Sequence, residues 1–157
     1  MRIIATLGLL VSTAAAAAPV EVQTSEGTLS LFPDLDSALS FAADGATLTL
    51  TAGDHGDVTI GGGAEVRVIA AEGASVSSLT IEGEGTFAEV SGLSMSGIDR
   101  AIEVKSGTLI LSQSELREMG SDTGYALRVA PGATAGLIGV GVFDSRGESG
   151  VIVAEEG

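Results

Sequence analysis

"AIEVKSG" begins at residue 101, "ALRVAPG" at residue 126 and "VIVAEEG" at residue 151. Starts at 101, 126 and 151 are two equal steps of 25 residues. In this alignment Ile102, Leu127 and Ile152 share one position, and Val104, Val129 and Ala154 share another. Gly107, Gly132 and Gly157 share a third. Looser copies lie upstream, "VTIGGGAEVRV" from residue 58 and "LTIEGEGTFAEV" from residue 79, at a period of 21 to 23 residues. Self-similarity at a fixed period marks a solenoid, in which each unit buries its apolar row only by stacking on its neighbours.

The kind of solenoid follows from what lies within a unit. Short alternating runs, "TLTL" (47–50), "VTI" (58–60), "VRV" (66–68) and "LTI" (79–81), are each bounded by glycine, aspartate or serine. That is the pattern of short strands joined by turns. No unit after Gly45 has the 3.6-residue apolar period of a helix, and the asparagine-bearing consensus of leucine-rich repeats is missing. Strand-turn-strand units of this length predict a parallel β-helix with three short strands per coil and about five coils. Alternation places Ile102 and Val104 inward and Glu103 outward. It also sets Arg128 above Glu103, about 5 Å away along the stack. The 23 glycines, with no tryptophan and one tyrosine, suit tight corners around a narrow aliphatic core.

Ahead of the coils, "PDLDSALSFAA" (33–43) reads as one short helix. Leu35, Ala38, Leu39 and Ala42 form a single apolar stripe, Asp34 is the natural N-cap, and Asp44-Gly45 ends it. The first residues have another purpose. Arg2, an apolar run from Ile3 to Val11 and an alanine tract follow the order of a secretory signal peptide. That run is about half the length of roughly 20 residues needed for a membrane span. We therefore expect a signal peptide over residues 1–18, cleaved near Ala17 or Ala18, a lead-in segment over 19–33, and the β-helix over 34–157. Cleavage predicts a secreted or cell-surface product, or a periplasmic one, without a transmembrane segment. The chain ends in "VIVAEEG", the opening of a unit, so the sequence predicts a β-helix truncated at its C-terminal end.

The stretch "LDSALSFAADGATLTLTAGDHGDVTI" resembles the opening of right-handed parallel β-helix proteins of the pectate-lyase-like superfamily. These begin with a capping helix, a glycine-containing turn, a first strand and a glycine-marked corner. "SGTLILSQSELREMGSDTGYALRVAPGA" (106–133) is similar to the repeats of secreted bacterial β-helix proteins. The resemblance covers residues 34 to 157 and implies an all-β, right-handed coil with a short N-terminal capping helix. It implies fold more than function, since the scaffold carries lyases, hydrolases, adhesins and inert modules. The outward asparagine ladders of many members are absent, for the chain holds no asparagine.

The only histidine, His55, stands in "TAGDHGDVTI" (51–60), where Gly53 and Gly56 give a corner its backbone freedom. We read His55 as a surface turn residue. Without a second histidine or any cysteine, the pattern disfavours zinc, while Asp54 and Asp57 remain low-affinity calcium candidates. Lyase chemistry, as the resemblance implies it, needs clustered aspartates beside an arginine or lysine base. Arg100 follows Asp99, yet no aspartates recur at coil spacing beside it. Glycosidases need paired carboxylates, and the acidic pairs Glu82/Glu84 and Glu155/Glu156 fall in turns. No G-x-S-x-G elbow occurs. "GGG" (61–63) and "GEG" (83–85) precede strands, so no helix N-terminus is present to hold a phosphate. Phe87, Tyr125 and Phe143 are too dispersed for a sugar-stacking platform, and the threonines at 47, 49, 51, 59 and 80 do not persist into later coils. No catalytic or cofactor-binding residue is assigned.

The charge excludes one partner class. Twenty-one acidic against seven basic residues give −14, and losing Arg2 with the signal makes the product one unit more negative. Such a surface repels nucleic acid. The sequence thus predicts a non-catalytic exported module with a structural, adhesive or glycan-contacting role. Its partners would be a polysaccharide or cell-surface component, or a second copy through the open C-terminal coil. The alternative is the N-terminal part of a polysaccharide lyase or glycoside hydrolase whose active site lies on absent coils.

Overall fold

The computed structural model describes residues 18–120, 124–146 and 151–155. The chain enters as a hairpin, β1 (Val20–Gln23) and β2 (Leu29–Phe32), followed by helix α1 (Leu35–Phe41). Five three-strand coils follow. The first holds β3 (Ala46–Leu50), β4 (Gly53–Asp54) and β5 (Asp57–Ile60), and the second β6 (Glu65–Ala70), β7 (Ala74–Ser75) and β8 (Ser78–Ile81). The third is β9 (Phe87–Ser91), β10 (Ser94–Ser96) and β11 (Ile102–Val104), and the fourth β12 (Thr108–Ser112), β13 (Glu115–Arg117) and β14 (Leu127–Val129). The fifth is β15 (Thr134–Ile138), β16 (Gly141–Phe143) and β17 (Ile152–Ala154).

Each strand pairs in parallel with its counterpart one coil away, which makes the molecule a parallel-strand β-solenoid of about five turns. The register matches the repeat alignment. Ile102 pairs with Leu127 and Leu127 with Ile152, while Val104 pairs with Val129 and Val129 with Ala154. Upstream, Val58 pairs with Leu79, and Leu79 with Ile102.

Alternation fills the core as the period-2 pattern requires. Leu48, Val68, Val90 and Leu111 form one inward row, and Ile60, Ile81 and Val104 another, all buried. The rows loosen in the fifth coil. Ile102 and Leu127 are buried, but Ile152 is 49% exposed, and Ala154 is exposed as well. The sequence placed both inside. Their register is as expected; their burial is not, because β17 ends its sheet and no described strand lies over it.

The hairpin was not legible as sheet. Strand β1 pairs antiparallel with β3, Val20 opposite Leu50 and Val22 opposite Leu48, and β2 pairs antiparallel with β1. Val20 and Val22 thereby extend the buried row beyond the first coil. Helix α1 closes that end. Leu35 and Ala38 are buried, Leu39 and Ala42 pack against the core, and the Phe41 ring lies 4.9 Å from that of Phe32. Asp34 is the N-cap, its Oδ1 accepting from the Ser37 amide at 2.7 Å. The helix stops at Phe41, earlier than expected, since Ala42 is already extended and its amide reaches back to the Ala38 carbonyl.

Asparagine ladders are replaced by hydroxyls. Thr86 Oγ1 accepts from the Gly63 amide, Ser106 Oγ from Gly83, Ser114 Oγ from Leu93 and Ser145 Oγ from Met119, at 2.6 to 3.1 Å. Each clip joins one coil to the preceding one. Turn amides that the strand ladders leave unpaired are satisfied this way, and a buried unsatisfied amide would be costly.

Candidate functional site

Two places gather the polar residues singled out by the sequence: the first corner, around His55, and the outward face of β8, β11, β14 and β17. At the corner, Gly53 adopts φ +134°, and a Cβ there would stand 2.7 Å from the Ala18 Cβ. Glycine is what lets the entering chain lie against the turn. Thr51 then ties it down, its Oγ1 donating to the Pro19 carbonyl at 2.7 Å.

His55 corrects the sequence reading, for it is not on the surface but only 8% exposed. Its Nε2 is 2.8 Å from the Thr51 carbonyl oxygen. A carbonyl only accepts, so Nε2 carries the proton and donates. Nδ1 is buried and meets no partner among the described residues. The backbone amide of His55 donates to the Ser75 carbonyl one coil later. The ring packs into the corner and braces the turn through Nε2.

Asp54 and Asp57 lie on the outer side of the corner, each with a structural contact. Asp54 Oδ1 accepts from the Gly56 amide at 3.0 Å, and Asp57 Oδ1 accepts from Ser78 Oγ at 2.7 Å. Arg100 joins the same corner from the third coil. Its guanidinium donates to the Val76 carbonyl at 2.8 Å and stands 3.9 Å from Asp54. The cation thus faces Asp54, two coils away in the stack, rather than its chain neighbour Asp99. Among the described residues, no three His, Asp or Glu side chains gather as a metal cage would require.

The second place is a ladder of opposite charges. Arg128 contacts Glu103 at 3.0 Å on one side and Glu155 at 2.9 Å on the other, with the Tyr125 ring centroid 5.9 Å from its Cζ. The two glutamates hold the Arg128 guanidinium above its ordinary pKa, hydrogen bonding to Glu155 contributing most. Lys105 sits between Glu82 and Glu103, at 3.4 and 3.9 Å. The Glu103–Arg128 pairing was legible from the 25-residue repeat; the Glu155 contact was not, because the repeat sets Val153 beside Arg128 and Glu155 reaches it from just past β17.

On the seven-stranded face, Arg67 pairs with Glu89 at 2.8 Å beside an open groove of about 200 Å³ that Phe87 also lines. On the face of β10, β13 and β16, Arg117 pairs with Glu115 at 3.0 Å and stacks 4.5 Å from the centroid of Phe143. Phe87, Tyr125 and Phe143 stand at separate places, as their sequence spacing suggested. The hydroxyl clips were missed. Their signal, a serine or threonine one coil after a turn, is weak among so many serines.

These features define a class, the parallel β-solenoid with a helix-capped first coil. No family model, curated protein or solved structure matches the chain. Among the described residues, no helix is long and apolar enough to cross a membrane.

Proposed function

We propose that the protein is an exported, non-catalytic β-solenoid module of the pectate-lyase-like kind, with a structural or adhesive role at a cell surface or polysaccharide. One observation carries this reading. Of the six lysines and arginines described, five (Arg67, Arg100, Lys105, Arg117 and Arg128) each face a carboxylate at 2.8 to 3.9 Å, in pairs spread over three faces and several coils. The sixth, Arg146, lines a groove with Glu118 and Asp144. Elimination at a uronate needs a cation or base beside clustered carboxylates, and glycoside hydrolysis needs two carboxyls flanking one bond. The five dispersed pairs suit a stiff rod that displays its surface, and the Arg146 groove is the one place among the described residues where a polysaccharide assay would find a site. The helix-capped opening supports the superfamily assignment.

The reading is tested by incubating the purified exported protein with acidic and neutral polysaccharides, with and without calcium. Absorbance of unsaturated uronates and release of reducing ends are followed. Neither signal is expected. Either one, dependent on added protein, would overturn the reading in favour of a polysaccharide lyase or glycoside hydrolase.

A further inference from the structure

We propose that the protein stacks head to tail on a second copy of itself, strand β15 of one copy pairing with strand β2 of the next. The inference rests on the reading above and names the partner. Its first support is strand polarity. The seven-stranded sheet runs in the order β15-β12-β9-β6-β3-β1-β2, so β2 and β15 are its outer strands among the described residues. Strand β1 is antiparallel to β3, and β2 antiparallel to β1. Two reversals make β2 parallel to β3 and hence to β15. The hairpin turns the entry end of the sheet into an edge with the same polarity as its exit end. Laid against β15, it would continue the parallel ladder without a break.

The second support is the match of side chains. On β15, Ala135 and Leu137 face inward, being paired with the buried Leu109 and Leu111, while Gly136 and Ile138 face outward. On β2, Ser30 and Phe32 face inward, opposite Val22 and Val20, while Leu29 and Leu31 face outward. Of the registers that respect both alternations, the one that continues the column Ser30–Val22–Leu48–Val68–Val90–Leu111–Leu137 sets Leu137 beside Ser30, Ile138 beside Leu31 and Gly136 beside Leu29. A slip of one residue would turn every side chain to the wrong face. Leu31 and Ile138 are 69% and 62% exposed, the largest exposures among the large apolar side chains described. The proposed register buries them against each other.

The partner edge is the other edge of the same sheet, so the contact is heterologous and does not close. Association is then open-ended, giving linear stacks rather than a dimer. A net charge of −14 on each copy opposes stacking, so salt should favour it by screening.

The absence of native cysteine allows a direct test. In one copy, Leu31 and Ile138 are separated by six strand-to-strand steps, roughly 29 Å, too far for a disulfide within the chain. Leu31→Cys and Ile138→Cys are made separately and together in the full chain and oxidised at tens of micromolar. Expected are a ladder of disulfide-linked multimers from the double variant and a preferred mixed dimer when the single variants are combined, both enhanced by salt. Monomers throughout, or symmetric Leu31→Cys and Ile138→Cys dimers formed as readily as the mixed one, would overturn the proposal. Sedimentation of the unmodified protein guards against variants that misfold. Mass that grows with concentration and is lost in Ile138→Lys supports stacking, and a constant monomer mass contradicts it. The polysaccharide assay on the same preparations keeps the two conclusions apart: no cross-links with no cleavage removes the partner alone.

Discussion

The fourth and fifth coils carry the same repeat, yet they are not equally folded into the core. Leu127 and Ile152 occupy one register position, one buried and the other half exposed. Leu111 and Leu137 repeat the contrast on the seven-stranded face, at complete burial and 37% exposure. The difference lies in the neighbours rather than in the residues. A solenoid coil receives about half its burial from the coil before and half from the coil after, so position fixes direction and stacking fixes energy. The fifth coil has its described neighbour on one side only.

Substitutions at matched positions sharpen that contrast. Leu127→Asp should have the largest effect. It buries an unpaired carboxylate at a cost of several kcal/mol and unfolds the stack, whereas Ile152→Asp should change the chemical-denaturation midpoint only slightly. Equal effects would remove the register or the exposed last coil.

Gly107 and Gly132 form the next pair, both at φ +80°. A Cβ on Gly107 would meet the Thr86 carbonyl oxygen at 2.5 Å, while one on Gly132 meets nothing within 4 Å. Gly132→Ala should cost about 1–2 kcal/mol for left-handed backbone alone, and Gly107→Ala clearly more, since two backbones must also separate. Thermal melts of the two variants measure the gap.

A smaller effect is expected at the clips. Ser114→Ala strands the buried Leu93 amide and should cost about 1–3 kcal/mol by urea titration. Ser145→Ala, at a more open corner of the fifth coil, should cost less.

The smallest expected effect is electrostatic. The Ser37 amide and hydroxyl hold the Asp34 carboxyl below its ordinary pKa. A depressed folded-state pKa means that its contribution is fully present above the ordinary carboxylate value and is lost as pH falls through the lowered one. Melting temperature measured from neutral to strongly acidic pH should therefore show a slightly shallower acid loss in Asp34→Asn than in the unmodified chain. Identical curves would mean that the cap charge does nothing.

Much of this was legible because a solenoid writes its register into its period. The 25-residue step gave the Ile102–Leu127–Ile152 row and the Glu103–Arg128 pair outright. Asp34 was legible because an N-cap is a local device. What escaped depends on residues far apart. The two inward valines of β1 are too short a pattern to reveal a strand whose partner lies beyond a hairpin and a helix. His55 is flanked by glycine and aspartate, which signals an exposed turn, but the Thr51 carbonyl and the packing of the corner draw the ring inside. The exposure of Ile152 reflects what is stacked over it, which its own sequence does not encode.

Amide hydrogen exchange, resolved along the chain at a concentration where the protein is monomeric, is the most direct test of neighbour-supplied stability. The slowest exchange is expected in β6, β9 and β12, which have a strand on each side, and markedly faster exchange in β15 and β17. Protection in β15 and β17 equal to that of β9 and β11 in the monomer would contradict it.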